Sequence, residues 1–281
     1  MKKLLFLLLL PCGVLAQPLI EKAPPDYIKT IIFKADGNDK NQFPLVRRNE
    51  PFTLQFDDLS SNEETYYYKI THCNANWEPS SLMKSEYLKG IDEQPIQPES
   101  NSYGTLQSYS HYQITFPNAL TQISLTGNYL LSITDGYGQE IFSRRFVLYS
   151  PLVNVLTEVK RARDLQFFDT QQVVQFSIQQ KDFRLENPNA AVKVAILQNF
   201  RWDTAISQLK PQYVMGNELV YRYDREAAFW AGNEYFYFDS KDIRVAASGV
   251  YRLERSNLVN SVLFTNASRA DNVYTYYPDI N

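Results

Sequence analysis

Gly127-Asn128-Tyr129-Leu130-Leu131-Ser132-Ile133-Thr134 and Ile141-Phe142-Ser143-Arg144-Arg145-Phe146-Val147-Leu148 flank the pair Asp135-Gly136. Both arms place large apolar side chains two residues apart, the period of a strand with one buried face. Asp-Gly accepts the positive φ of a tight turn, so the stretch reads as an antiparallel hairpin. Working outward, alternation recurs in Lys29–Lys34, Phe52–Phe56, Tyr66–Thr71 and Tyr112–Phe116. It continues in Val153–Val159, Val173–Ile178, Val192–Leu197, Gln212–Met215, Leu219–Tyr223, Tyr235–Phe238 and Val250–Leu253, with Gly216-Asn217 as a second hairpin signal. The chain carries 20 Tyr and 17 Phe, an excess that favours pleated sheets. A turn around Ser81–Lys89 is the one stretch with helical character. Many short strands at this spacing predict an all-β chain of sandwich type.

A seam falls at Ser150-Pro151, between a closing strand and the new strand at Val153. The expected organisation is two consecutive immunoglobulin-like β-sandwich domains, residues 17–150 and 151–281. Gly127-Asn128-Tyr129 resembles the corner tyrosine that opens the penultimate strand of immunoglobulin-like domains. The cysteine expected two residues later is Leu131, so the resemblance implies a disulfide-free variant.

Residues 1–16 have the three parts of a secretory signal peptide. Lys2 and Lys3 are followed by the apolar run Leu4–Leu10 and the small-residue site Val14-Leu15-Ala16, with cleavage expected before Gln17. The apolar run is short of the roughly 20 residues a spanning helix needs, and Pro11 argues against lipidation at Cys12. No later stretch reads as a transmembrane segment. Cleavage would leave Cys73 as the single cysteine, read as a buried small side chain without a disulfide. The full chain has 28 basic and 31 acidic residues; removing Lys2 and Lys3 leaves 26 against 31, a net charge of −5. With no basic block, nucleic acid is a poor partner.

Catalytic patterns are absent from the sequence. His72 and Cys73 are neighbours on a strand and point to opposite faces, so they make no nucleophile–base pair. His111 reads as a strand residue, and no phosphate loop, nucleophile elbow or zinc-type cysteine pair occurs. Asp57-Asp58 and Glu63-Glu64 offer calcium-type carboxylates, but with Ser60, Ser61 and Asn62 they read more simply as a solvated acidic loop. No catalytic residue, cofactor or metal is expected.

Two segments share a local pattern, Asn74-Ala75-Asn76-Trp77-Glu78 and Asn199-Phe200-Arg201-Trp202-Asp203. Their spacing suggests a duplicated unit, as does the shorter echo between Gly127-x-Tyr129 and Gly249-x-Tyr251. A tryptophan beside an acidic residue is either a contact platform or an anchor that pins its own connection, with the asparagine closing the turn. Asn74, Trp77, Asn199, Arg201, Trp202 and Asp203 are read as structural, and Trp230 as the exposed partner contact.

Tyr66-Tyr67-Tyr68-Lys69-Ile70-Thr71-His72-Cys73-Asn74-Ala75-Asn76-Trp77 and Val192–Ile206 resemble the plug protein family of the type IX secretion system. Phe56-Asp57-Asp58-Leu59, Tyr87-Leu88-Lys89-Gly90, Gly127-Asn128-Tyr129-Leu130, Arg144-Arg145-Phe146 and Tyr277-Pro278-Asp279-Ile280-Asn281 match in the same order. The resemblance implies a Bacteroidota periplasmic protein whose partner is the outer-membrane translocon β-barrel, closed at its periplasmic mouth by a non-enzymatic sandwich. Family members are expected to continue beyond the final stretch, so Val273–Tyr277 reads as a strand without its return partner and the second domain as incomplete. From composition alone, the runner-up is a secreted carbohydrate-binding module, which needs coplanar exposed aromatics on one face. A glycosidase or protease on a sandwich scaffold is a third reading.

Overall fold

The computed structural model describes residues 17–37, 43–60, 62–181, 185–232, 238–246 and 249–267. The expected signal peptide, the strand at Val273–Tyr277 and all but the last residue of Tyr235–Phe238 lie outside these. The fold is all-β, and the chain divides into two compact units, Met1–Pro151 and Leu152–Asn281.

In the first unit the elements are β1 (Ile28–Ala35), β2 (Leu45–Arg47), β3 (Phe52–Asp58), β4 (Tyr66–Cys73), α1 (Lys84–Tyr87) and β5 (Leu88–Gly90). They continue with β6 (Pro95–Ile96), β7 (Pro98–Asn101), β8 (Ser110–Phe116), β9 (Thr121–Ile123), β10 (Gly127–Thr134) and β11 (Glu140–Tyr149). One sheet has the order β1-β3-β8-β7 and a second the order β2-β11-β10-β4-β6. The strand period explains how they face each other. Phe52, Leu54 and Phe56 of β3 stand opposite Phe116, Ile114 and Tyr112 of β8 on the inner face. Thr53, Gln55 and Asp57 stand opposite Thr115, Gln113 and His111 on the outer face, where each pair is hydrogen-bonded side chain to side chain.

Aromatic rings join the sheets. Phe146 meets Phe33 at 5.5 Å and Phe52 at 5.2 Å, while Phe56 meets Phe142 at 5.3 Å and Tyr66 at 5.4 Å. Such pairs contribute about 0.5–1.5 kcal/mol each beyond the area they bury. Tyr129 carries the corner: fully buried, its hydroxyl donates to Leu125 O at 2.8 Å, four residues upstream. Leu131, at the cysteine position, lies in the core.

The hairpin turn differs in detail from expectation. The left-handed residue between β10 and β11 is Gly138 (φ 79°), not Asp135 or Gly136. Asp135 instead closes a longer turn, its carboxylate accepting from the N–H groups of Tyr137 and Gln139 at 2.9 and 2.8 Å.

In the second unit the elements are β12 (Val153–Arg161), β13 (Gln171–Gln180), α2 (Pro188–Ala191), β14 (Ala195–Ile196) and β15 (Ile206–Ser207). Then follow β16 (Tyr213–Met215), β17 (Glu218–Tyr221), β18 (Ala228–Trp230), β19 (Val250–Arg255) and β20 (Val259–Leu263). The main sheet has the order β12-β13-β17-β16, with β18 also on β13. Its core holds Phe176, Ile178, Leu219 and Tyr221, with Phe176 stacked on Tyr221 at 4.4 Å. Gly216 (φ 61°) makes the two-residue β16–β17 turn as expected. The expected strand Val192–Leu197 shrinks to Ala195–Ile196. It is cut short by the helical turn at Pro188 before it and by left-handed Asn199 and Phe200 after it.

Candidate functional site

Asn74 opens a tight turn directly after β4. Its side-chain oxygen accepts from the N–H groups of Asn76 (2.8 Å) and Glu78 (3.1 Å), and its amide donates to the Glu78 carboxylate (2.7 Å). The turn drives Trp77 into the left-handed region (φ 65°), a conformation that costs a residue with a Cβ about 1–3 kcal/mol. Packing holds it there: Trp77 is 6% exposed, and the Arg145 guanidinium from β11 lies over its ring at 4.6 Å. The Trp77 carbonyl accepts from Leu19 N–H at 2.8 Å, and Leu19 O accepts from Arg145 Nε at 3.1 Å. Residues ahead of β1 thus tie Trp77 and Arg145 together.

The second motif has another geometry. Asn199 (φ 52°) and Phe200 (φ 59°), not the tryptophan, are the left-handed residues. Arg201 forks onto Asp203 at 3.1 and 2.5 Å and holds that carboxyl below the usual range. Trp202 is half-buried, edge-on to Phe200 at 6.0 Å. The two motifs share letters but not backbone shape. Trp230, on β18, is 65% exposed and meets Phe167 edge-on at 6.0 Å.

His72 lies against Tyr129 at 4.9 Å and Tyr87 at 5.5 Å, and burial pushes its pKa down. Cys73, the next residue, is buried, and burial pushes its thiol up to about 11, against the lowering pull of Arg145. A thiol so raised stays protonated at neutral pH.

The acidic pair Asp57-Asp58 is not a solvated loop. Both residues end β3, and the inward parity that buries Phe52, Leu54 and Phe56 takes Asp58 inside as well. Fully buried Asp58 accepts from the Tyr66 hydroxyl and Ser60 N–H, each at 2.8 Å. Asp57 meets His111 Nδ1 at 2.6 Å. Glu63, Glu64 and Asp135 line an open cleft with Tyr27, Tyr66 and Tyr137. Among the described residues no group of three or more His, Cys, Asp or Glu is arranged to hold a metal.

Sequence reading missed Arg145 and the segment Leu19–Lys22. The available signals were two adjacent arginines inside an otherwise apolar strand, and Pro24-Pro25 setting off the segment before β1.

A two-sheet sandwich with a corner tyrosine in place of a disulfide defines the first unit as an immunoglobulin-like module. Residues 28–150 match the model of the family described as type 9 secretion system plug protein, first domain, and this part of the chain belongs to that family. A crystal structure of a hypothetical protein from Parabacteroides merdae superposes with a TM-score of 0.84 at 29% identity, over 93% of this chain and 67% of that one. No curated protein matches the chain. Among the described residues, no helix is long and apolar enough to cross a membrane.

Proposed function

We propose that the chain is an exported, non-catalytic binding protein that closes the periplasmic mouth of the type IX secretion β-barrel in the outer membrane. The observation that carries this reading is the plug-family first domain over residues 28–150. The architecture suits the task. A seal must stay rigid while cargo presses on the pore, and the interlocked aromatic core of the first unit resists local opening. Release during export asks for moderate affinity, on the order of micromolar, or about −8 kcal/mol. Its residues 17–150 and 151–281 then act as two sandwich-type domains, with Trp230 the exposed contact and the Trp77 turn a structural anchor.

The test is affinity purification of tagged full-length protein from solubilised outer membranes. Recovery of the translocon barrel supports the reading, and its absence from every eluate contradicts it. One observation favours the carbohydrate-binding alternative, the exposure of Trp230. That reading asks for a flat row of aromatics, whereas Trp77 is buried and Phe167 stands edge-on to Trp230. Glycan-array binding abolished by Trp230→Ala would favour it over the plug.

A further inference from the structure

The N–H groups of Ser143, Arg145 and Val147 occupy alternate positions on β11 and point to the edge away from β10. At Val147 that edge is filled: its N–H donates to Pro44 O at 3.0 Å, where β2 begins parallel pairing with Val147–Tyr149. Further upstream the cover changes. Ser143 N–H donates to Lys22 O at 3.2 Å, and Lys22 N–H donates back to Ser143 Oγ at 2.9 Å. Arg145 N–H, in between, reaches the Glu21 carboxylate at 2.6 Å instead of a backbone carbonyl. The covering segment, Leu19–Lys22, has no regular secondary structure, and Ile20 within it is 79% exposed. A strand edge is a template for pairing. Here the chain's own strap meets the β11 backbone with one carbonyl, that of Lys22, and with the side chains of Glu21 and Lys22, the latter on Glu140 O, and buries little apolar surface in doing so.

We propose that the β11 edge from Ile141 to Arg145 is an acceptor for an extended acidic segment of a partner protein, which displaces Leu19–Lys22 and pairs as an added strand. Backbone pairing would supply affinity, and the Trp77–Arg145 stack beside it would supply selectivity. Charge complementarity selects the occupant. Arg144 and Arg145 are adjacent and partly buried, and Glu21 is the acidic group that acts on both. A neutral or basic segment would leave two desolvated guanidinium groups without that compensation. The strap is held by hydrogen bonds at Leu19, Glu21 and Lys22 while Ile20 faces solvent, so an incoming strand must replace those bonds and displaces little packed apolar surface. This site is independent of the pore reading and would serve any partner that presents such a segment.

The experiment uses the full chain, its Glu21→Lys variant and two fluorescein-labelled peptides: an acidic one that copies residues 17–23 with alanine at the Lys22 position, and the same peptide with lysine at the glutamate position. The variant weakens the strap's own hold, so by anisotropy it should bind the acidic peptide at least about tenfold more tightly than the unaltered chain, a difference of about 1.4 kcal/mol. The lysine peptide should bind neither. Equal affinity of the acidic peptide for both chains, no binding to a folded variant, or equal binding of the two peptides would overturn the proposal. Should the variant fail to fold, hydrogen exchange on the unaltered chain decides. Excess acidic peptide should slow exchange at the Arg145 amide, and unchanged exchange there would also overturn it.

Discussion

His72 and Gly127 form a contact that only glycine permits. A Cβ at Gly127 would come within 2.5 Å of His72 Nε2, and the backbone there has φ 153°. Gly127→Ala should therefore destabilise the first unit by about 1–3 kcal/mol, read by denaturant unfolding. In a double-mutant cycle with His72→Ala the two changes should be strongly non-additive, because removing the ring removes the clash. Strict additivity would place the cost elsewhere. His72 also sets a pH dependence. Burial lowers its pKa in the folded chain, so the unfolded chain binds the proton more readily and stability falls as pH drops below about 6.5. His72→Phe keeps a ring and should lose less stability than the unaltered chain between neutral pH and about pH 5. The two asparagines separate as cleanly. Asn74→Gly removes three side-chain hydrogen bonds and should cost about 1 kcal/mol. Asn199→Gly should be neutral or stabilising, since Asn199 is already left-handed and glycine takes that conformation freely. The sequence showed both motifs but not this difference, because backbone conformation depends on neighbours that the shared letters do not specify.

The strands of the first unit were the most legible elements. The long strands β3 and β8 have one buried face and a two-residue period, whereas the short β2, β5, β6, β7 and β9 were not foreseen. Legibility fell where that signal shortens. The two-residue β14 and the three-residue β18 are too brief for a period. Asp58 was misread because charged residues are rarely fully buried; its partner Tyr66 lies on another strand, beyond the reach of local pattern. The tyrosine-rich core has a further consequence at this scale. Burial raises Tyr112 to about 12 and raises Tyr66 and Tyr129 further, each from an unfolded value near 10. Their contribution to stability is complete below pH ~10 and is lost as pH rises through the folded values. Alkaline titration should then show two phases: a gradual rise in tyrosinate absorbance from exposed residues such as Tyr103 and Tyr137, then a cooperative step that coincides with the loss of near-UV circular dichroism. Ionisation of all the tyrosines with the dichroism intact would show the buried hydroxyls to be accessible.

At the scale of the molecule, the division into two units predicts that residues 17–150 fold alone, since they hold a complete aromatic core and the strap on β11. A single cooperative thermal transition in that fragment would agree, and a molten fragment would not. The plug family could be read from ordered matches such as Tyr87–Gly90, where a Cβ at Gly90 would fall 1.9 Å from Leu120 O, and Gly127–Leu130 at the corner tyrosine. The interaction surface could not, because a docking face needs no periodic pattern, and the Arg145 edge arises only when residues far apart in sequence meet. The central claim is that this protein seals a pore, and outer-membrane permeability in a deletion strain tests it most directly. The account predicts entry of large, normally excluded dyes and antibiotics, reversed by the intact gene. Unchanged permeability, with the translocon barrel present in the membrane, would contradict it.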